Sequence, residues 1–579
     1  MCKKVNTFTQ MTLKICFMKY LLLFFLSCTF LVNAQVTNQG NPKSWSIAET
    51  KSDMSPIVLP KANLQQIKKQ DDTNDKLTTK PYRIGISHKV NFGLDNAGFW
   101  TQLSNGDRVW RILFSSPDAV HLSVNFNDFF LPEGSNIYLY NDDKTDLIGA
   151  YTTTQNNDNK VLGTWFVNGD KLWVEYYEPK AVKDLGKLNI NSVVHGYRLG
   201  HTYQKGYHKS SLLKINNSGD CNHDVDCPIG NNFETQKDVL KKSVGFLSMG
   251  DGYICSGALI NNVEQDKKLY FLSANHCLER EIIDPAANPA IFSMRFNWIS
   301  PDPVCASIFN STDSVDEFTL SGSTLRAENA NSDVMLLEIS GSLPTDWDVT
   351  FAGWDNSDTD PTFEVGIHHP RGDIMKVCRD DTGATKRTSN GKELWLIGGL
   401  SDGIGVGDGW ELGVTEGGSS GSPLFNENGH IIGQLFGGEA LCTGTSDNND
   451  YDLYGRFATS WSGGGTAATQ LKAWLDPQNT NANTLDALEN TLAINDEFLE
   501  INITVYPNPT TGLVNIKSSG LVNDLKYEVY NVLGQTLLAK KLQNNQSINL
   551  SNLPNDIYFV KIIEIETNKS LVKKIVLNK

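Results

Sequence analysis

The sequence predicts an all-β chain built from several domains, and three observations carry that expectation. Its 579 residues are far too many for one hydrophobic core. Short runs rich in Val, Ile, Tyr and Phe recur between Asn, Gly and Asp clusters, and glycine is abundant at 48 residues. Seven of the ten cysteines fall in one stretch of the chain, which marks that stretch off as a unit of its own. Hydrophobic residues make up 40% and charged residues 20%, as in ordinary globular proteins. The net charge of -16 repels phosphate backbones, so a nucleic-acid partner is excluded as a leading reading.

The first element, residues 1–34, reads as a signal peptide. Lys19 gives a positive start, residues 21–32 are apolar, and Val32-Asn33-Ala34 is a small-residue cleavage site, so the cut is expected after Ala34. The apolar run is too short to span a bilayer, and no other run is long enough. Residues 35–80 are polar without a clear period and read as a loose leader. Residues 81–214 read as a pro-region containing a β-sandwich, because "DRVWRILFSS", "AVHLSVNF", "SNIYLYN" and "KLWVEYYEP" alternate or run apolar between turn residues. Trp100, Trp110, Trp165 and Trp173 are expected in its core, with a sugar-stacking platform as the alternative. The polar connector that follows offers cut sites at Lys205, Lys209 and Lys214.

Residues 215–485 form the cysteine-bearing domain, which an exported chain should hold with disulfides. It ends in a short helix that Thr466 can cap and Pro477 stops. Residues 486–500 read as a linker, and residues 501–579 as a small cysteine-free β-sandwich with turns at Pro507-Asn508-Pro509 and Leu533-Gly534.

Three motifs in the cysteine-bearing domain carry chemistry: "LSANHC" with His276, "NSDVMLLEI" with Asp333, and "GGSSGSPLF" with Ser420. The order His, Asp, Ser is one of the chain orders of a catalytic triad. A serine hydroxyl is a weak nucleophile and needs a base, here His276, to take its proton and return it to the leaving amine. Asp333 would hold the imidazole tautomer and stabilise the imidazolium. Gly418 and Gly421 permit a tight turn in which the N–H groups of Gly418 and Ser420 form an oxyanion hole, worth about 3–4 kcal/mol per donor. Pro423 is expected to carry the chain out of the turn as an edge strand. A Cys255–Cys277 bridge would staple the loop beside His276, a loop size that gains about 3 kcal/mol in the chain-entropy model. His368 and His369, being consecutive, face opposite sides of a strand and read as structural. No ligand-spaced cluster indicates a metal, and no cofactor is implied.

Residues 215–485 resemble the bacterial lysyl endopeptidases, a branch of the chymotrypsin-like, trypsin-like serine proteases. The resemblance rests on "CNHDVDCP", "YFLSANHC", "AGWD", "IHHP", "GVTEGGSSGSP", "GQLFGG", "YGRF" and "SWSGGG". It implies a fold of two six-stranded β-barrels with the active site between them, and cleavage of proteins and peptides after lysine. It also implies the bridges Cys221–Cys442, Cys227–Cys305 and Cys255–Cys277, leaving Cys378 as the odd thiol. By the same resemblance Asp452 in "YDLYGR" binds the substrate lysine, while Trp395 lines the site and stacks on the residue at the position of Phe436, a histidine in the best-known members. A carboxylate at the base of a narrow pocket selects a cationic side chain. The phenylalanine leaves open a trypsin-like enzyme that accepts arginine as well as lysine. A non-catalytic surface binder on a protease fold is a further alternative.

The resemblance implies a mature chain starting near the first cysteine pair, so self-cleavage after Lys214 is expected. Trypsin is activated when its new N-terminus pairs with an aspartate before the catalytic serine; Ser419 stands there, so activation must differ and the pro-region is expected to act as folding aid or inhibitor. The last 79 residues resemble the sorting domain of type IX secretion through "VYPNPTTGLVNI", "VYNVLGQTL", "LPNDIYFVKI" and "KKIVLNK". That implies the secretion machinery as a partner, passage through the periplasm, and release or surface attachment. A monomer is expected.

Overall fold

Alternation builds the first part of the chain. In the strand Lys171–Glu178, Leu172, Val174 and Tyr176 share one face and are fully buried, as the two-residue period of a strand requires. This strand lies between Arg108–Ser115 and Asn136–Asn141, antiparallel to both. A second sheet of His121–Phe130, Lys187–Gly196 and Gly85–Gly93 packs on the first around Trp110, Phe114, Leu122 and Phe126, which makes the expected sandwich. These observations come from a computed structural model. It describes residues 40–47, 55–76, 80–199, 217–230, 232–280, 286–314, 318–344, 347–400, 403–490, 503–518, 525–531, 536–542, 547–564 and 570–579. Ala34, Lys205, Lys209 and Lys214 lie outside the described residues.

Two expectations for this region need correction. Of the four tryptophans only Trp110 and Trp165 are fully buried, and Trp165 packs edge-on against Phe246 of the cysteine-bearing domain at 5.3 Å, under the Arg295 guanidinium. Trp100 and Trp173 are half-buried, each with an arginine guanidinium over its ring. The sandwich core therefore runs on into Phe246, Ile254, Trp298 and Ile374 of the next domain. The leader is also not loose. Asn63 caps an eleven-residue helix, Leu64–Asn74, by accepting from the Gln66 N–H. The buried Asp71 of that helix pairs with Arg83 at 2.8 Å, accepts from Tyr197 and lies 3.1 Å from Arg198.

The cysteine-bearing domain has the two-sheet chymotrypsin-like arrangement, with more strands in each sheet than the six expected. The first sheet has eight strands in the order Phe318–Ser321, Ser293–Phe296, Val244–Ser248, Tyr253–Leu259, Tyr270–Ala274, Val334–Ile339 and Ser323–Asn329, with Tyr82–Arg83 from the preceding sandwich region paired to Tyr253–Leu259. The second has ten, and its centre runs Glu364–His368, Pro423–Asn426, Ile431–Gly438, Asp452–Arg456 and Lys392–Ile397. A core containing Val244, Leu272 and Leu336 from the first sheet and Ile367, Phe425 and Ile431 from the second joins them. Pro423 does not start an edge strand. It is the first residue of an internal strand, where its missing N–H costs least. The C-terminal helix is shorter than expected, Lys472–Leu475, because Thr466 spends its hydroxyl on a turn with Thr469. Thr484–Leu485 and Leu488–Glu489 pair with Trp354–Asp355 and Thr350–Phe351, so the domain runs past residue 485 into the expected linker.

The unit from Asn490 onward stands by itself. It has a three-stranded sheet, Ile503–Tyr506, Leu513–Ser518 and Ser547–Asn549, and a four-stranded one, Thr536–Leu542, Leu525–Tyr530, Asp556–Glu564 and Ser570–Leu577. Val514, Val529, Val560, Ile562 and Ile575 fill the space between them. Among the described residues no helix is long and apolar enough to cross a membrane.

Candidate active site

His276 sits on a single turn, Asn275–Leu278, directly after the strand Tyr270–Ala274. The Cys255–Cys277 disulfide fixes that turn from below. The ring is held by Asp333, which immediately precedes the neighbouring strand Val334–Ile339. His276 Nδ1 and Asp333 Oδ2 are 2.7 Å apart, and the His276 backbone N–H donates to Asp333 Oδ1 at 2.9 Å. Asp333 adopts a left-handed backbone, φ 53°, an unusual conformation for a residue with a side chain. Its carbonyl accepts from Asn275 N–H at 2.7 Å, so the turn and the carboxylate lock one another. With Nδ1 occupied, Nε2 is left buried without a hydrogen-bond partner. A base that must receive a proton needs that free face.

Ser420 lies across the cleft in the turn before Pro423–Asn426. Its carbonyl accepts from Ser256 N–H at 2.8 Å and lies 4.0 Å from Cys277 Sγ, so the His276 and Ser420 motifs are neighbours. No hydrogen bond joins Ser420 Oγ to His276 Nε2 in this structure, and such bonds often tighten only when substrate arrives. Gly418 has φ +97° and Gly421 φ +81°; a β-carbon on Gly421 would sit 2.2 Å from Ser273 Oγ, so no other residue fits there. Ser419 N–H donates to Glu416 O and Gly421 N–H to Leu435 O. The N–H groups of Gly418 and Ser420 have no acceptor among the described residues. Two unspent donors beside a serine hydroxyl are what a developing oxyanion requires.

His368 proves to be part of this turn. Its Nδ1 is 2.7 Å from Ser419 Oγ, which also accepts from Glu416 N–H. Full burial lowers the His368 pKa to about 3, so the ring is neutral. Its neighbour His369 lies on Asp373 O, and His369 N–H donates to Ser256 Oγ, which in turn donates to Gly418 O. Nothing local in the sequence marks the His368–Ser419 contact, which spans 51 residues.

Asp452 is buried inside the second sheet. Its Oδ2 accepts from Trp410 Nε1 at 2.7 Å and Thr415 Oγ1 at 2.8 Å. No cation pairs with it among the described residues, and burial raises its pKa to about 7. A β-carbon on Gly438 would fall 2.1 Å from Asp452 Oδ1, so that glycine keeps the approach to the carboxylate open. Trp410, Thr415 and Gly438 were not singled out from the sequence. The stack expected between Trp395 and Phe436 does not form. Trp395 is buried, donates to Ile432 O, and lies beneath Lys386 and Arg456. Phe436 instead meets His276 edge-on at 5.9 Å and carries Lys392 over its ring. All three disulfides expected from the resemblance are present, and Cys378 is a buried free thiol.

Residues 215–455 match the family model of the lysyl endopeptidase C-terminal domain. Residues 504–578 match that of the secretion system C-terminal sorting domain, which marks the chain as secreted or attached to the cell surface. A lysyl endopeptidase from Pseudomonas aeruginosa is 29% identical over 308 residues, 51% of this chain and 60% of the relative. The chain thus spans less than two thirds of that lysyl endopeptidase. Among solved structures, the secreted serine protease VesC from Vibrio cholerae is 12% identical with a TM-score of 0.25, covering 58% of this chain and 69% of its own. A biofilm-associated protein BSP domain reaches a TM-score of 0.11 at 10% identity, covering 88% of this chain and 70% of its own. Neither likeness is close enough to bear on the site.

Proposed function

We propose that the chain is the precursor of an exported serine endopeptidase that cuts proteins and peptides after lysine, using Ser420, His276 and Asp333 through an acyl-enzyme. One observation carries this reading: a buried His276–Asp333 pair with a vacant Nε2 faces a serine turn whose Gly418 and Ser420 N–H groups are unspent. His276 would take the Ser420 proton as its oxygen attacks the carbonyl, the two N–H groups would receive the oxyanion, and the imidazolium would protonate the leaving amine. Asp452 would meet the lysine ammonium, and its lack of a resident cation supports that role. The lysyl endopeptidase family match over 215–455 supports the substrate class. The sorting-domain match supports type IX machinery as the export partner. Residues 35–214 would be the pro-region, removed by self-cleavage at Lys214.

The test is digestion of a mixed peptide library by the processed protein, reading the residue before each cut. Lysine at nearly every cut is the expected result; an even mixture of lysine and arginine would replace the lysine reading with a trypsin-like one. Ser420→Ala should lower activity by about 10⁴-fold or more and leave the precursor whole. Normal processing of that purified variant would assign the cut to another protease.

A further inference from the structure

The strand Tyr82–Arg83 of the pro-region is laid on the wall of the cleft. It pairs antiparallel with Ile254 and Tyr253, and Ile84 N–H and Gly85 N–H both donate to Gly252 O, at 2.7 and 3.1 Å. The strand it extends, Tyr253–Leu259, carries Cys255, which is bonded to Cys277 next to His276. This is the histidine side of the cleft, and the histidine serves the leaving amine. Asp452 belongs to the other sheet. Tyr82 reaches the serine turn: a β-carbon on Gly417 would come within 2.8 Å of the tyrosine ring. Arg371, whose N–H donates to Gly417 O and whose guanidinium lies 2.9 Å from Glu416, is near enough to interact electrostatically with Tyr82, and Arg198 stacks over the ring at 4.7 Å. The segment passes from the turn at Tyr82 outward to Gly252 at Ile84, the direction a departing peptide takes from the nucleophile.

We infer that the leaving-group side of the cleft contains a subsite for an aromatic side chain, formed by the Ile254 edge, Gly417 and Arg371, and that Tyr82 fills it in the precursor. Backbone pairing to the open first residues of the strand Tyr253–Leu259 supplies the binding and the ring supplies the selectivity, the usual division of labour when a peptide adds to a sheet. Gly417 makes room for the ring, and the Asp71–Arg83 pair fastens the segment to the leader helix. The consequence is twofold. A precursor cannot accept a substrate that extends past the cut bond, and the processed enzyme favours an aromatic residue soon after the lysine. Naming this the leaving-group side rests on the protease reading; the strand pairing and the fit of an aromatic ring at Gly417 do not.

The test needs no catalysis. In the full-length chain carrying Ser420→Ala, a fluorescent peptide Lys-Ala-Tyr-Arg-Ile should fail to bind. With Tyr82→Ala added it should bind, and replacing the peptide's tyrosine with alanine should weaken that binding by about tenfold or more. Equal binding with and without Tyr82, or binding in neither, overturns the inference. Should Tyr82→Ala not fold, the processed enzyme decides by its cuts: aromatic residues enriched within three positions after the lysine support the subsite, and a flat distribution rejects it. Failure to cleave after lysine at all would sink the protease reading while leaving the binding result to stand.

Discussion

At the residue scale, Asp452 sets the most direct expectation. Its carboxyl is pushed up to about 7 by burial, so it is charged above that pH and neutral below it. The kcat/KM ratio of a lysine substrate to a neutral norleucine analogue should therefore fall as pH drops through about 7. The ratio cancels any titration common to both substrates, and a ratio flat from pH 5 to 9 would remove Asp452 from the pocket. Asp452→Asn should reduce the lysine preference by about 100-fold or more, because a cation in that pocket would lose its partner. The Ser419 hydroxyl matters for a different reason. Ser419→Ala leaves His368 Nδ1 buried without a partner, which costs about 1–3 kcal/mol. If His368 aligns the oxyanion turn, kcat should fall with KM little changed, while a purely structural role would lower the melting temperature alone.

At the scale of elements, the strand Glu364–His368 places Glu364 against Asp380 on the adjoining strand. Burial and the neighbouring Asp380 carboxyl raise the Glu364 pKa well above the ordinary range. The unfolded chain releases this proton near about 4.3, whereas the folded chain holds it. Stability from Glu364 is therefore complete below that value and is lost as pH rises towards the folded pKa. Glu364→Gln keeps the shape and the acceptor for Ala384 N–H without an ionisable proton. Urea unfolding should find the variant more stable than the parent at pH 8 and about equal at pH 4. Legibility also divides at this scale. The long alternating strands and the triad motifs could be read because each is local: a two-residue period, or rare residue types packed into a few positions. The leader helix could not, since its buried face holds Ile67 and Asp71 and so lacks an apolar stripe. The strand Tyr82–Arg83 is too short to show any period. The position of Phe436 was foreseen, but its partner was not, because a ring's neighbour depends on how three distant strands converge.

At the scale of the whole molecule, the N-terminal sandwich and the cysteine-bearing domain share one apolar core through Trp165, Phe246, Ile254 and Trp298. Gly163 approaches Ile291 so closely that a β-carbon would fall 1.9 Å from its carbonyl oxygen, which leaves no space for solvent between the two. Gly163→Val should therefore separate the domains and raise the yield of aggregated precursor, as measured by light scattering during refolding. If residues 35–214 are shed as proposed, that apolar floor meets water and the Tyr253–Ile254 edge loses its neighbour. A matured molecule of this kind persists by the height of its unfolding barrier and not by the depth of its well. Denatured and returned to buffer alone, it should stay unfolded, and recover only when residues 35–214 are supplied in trans.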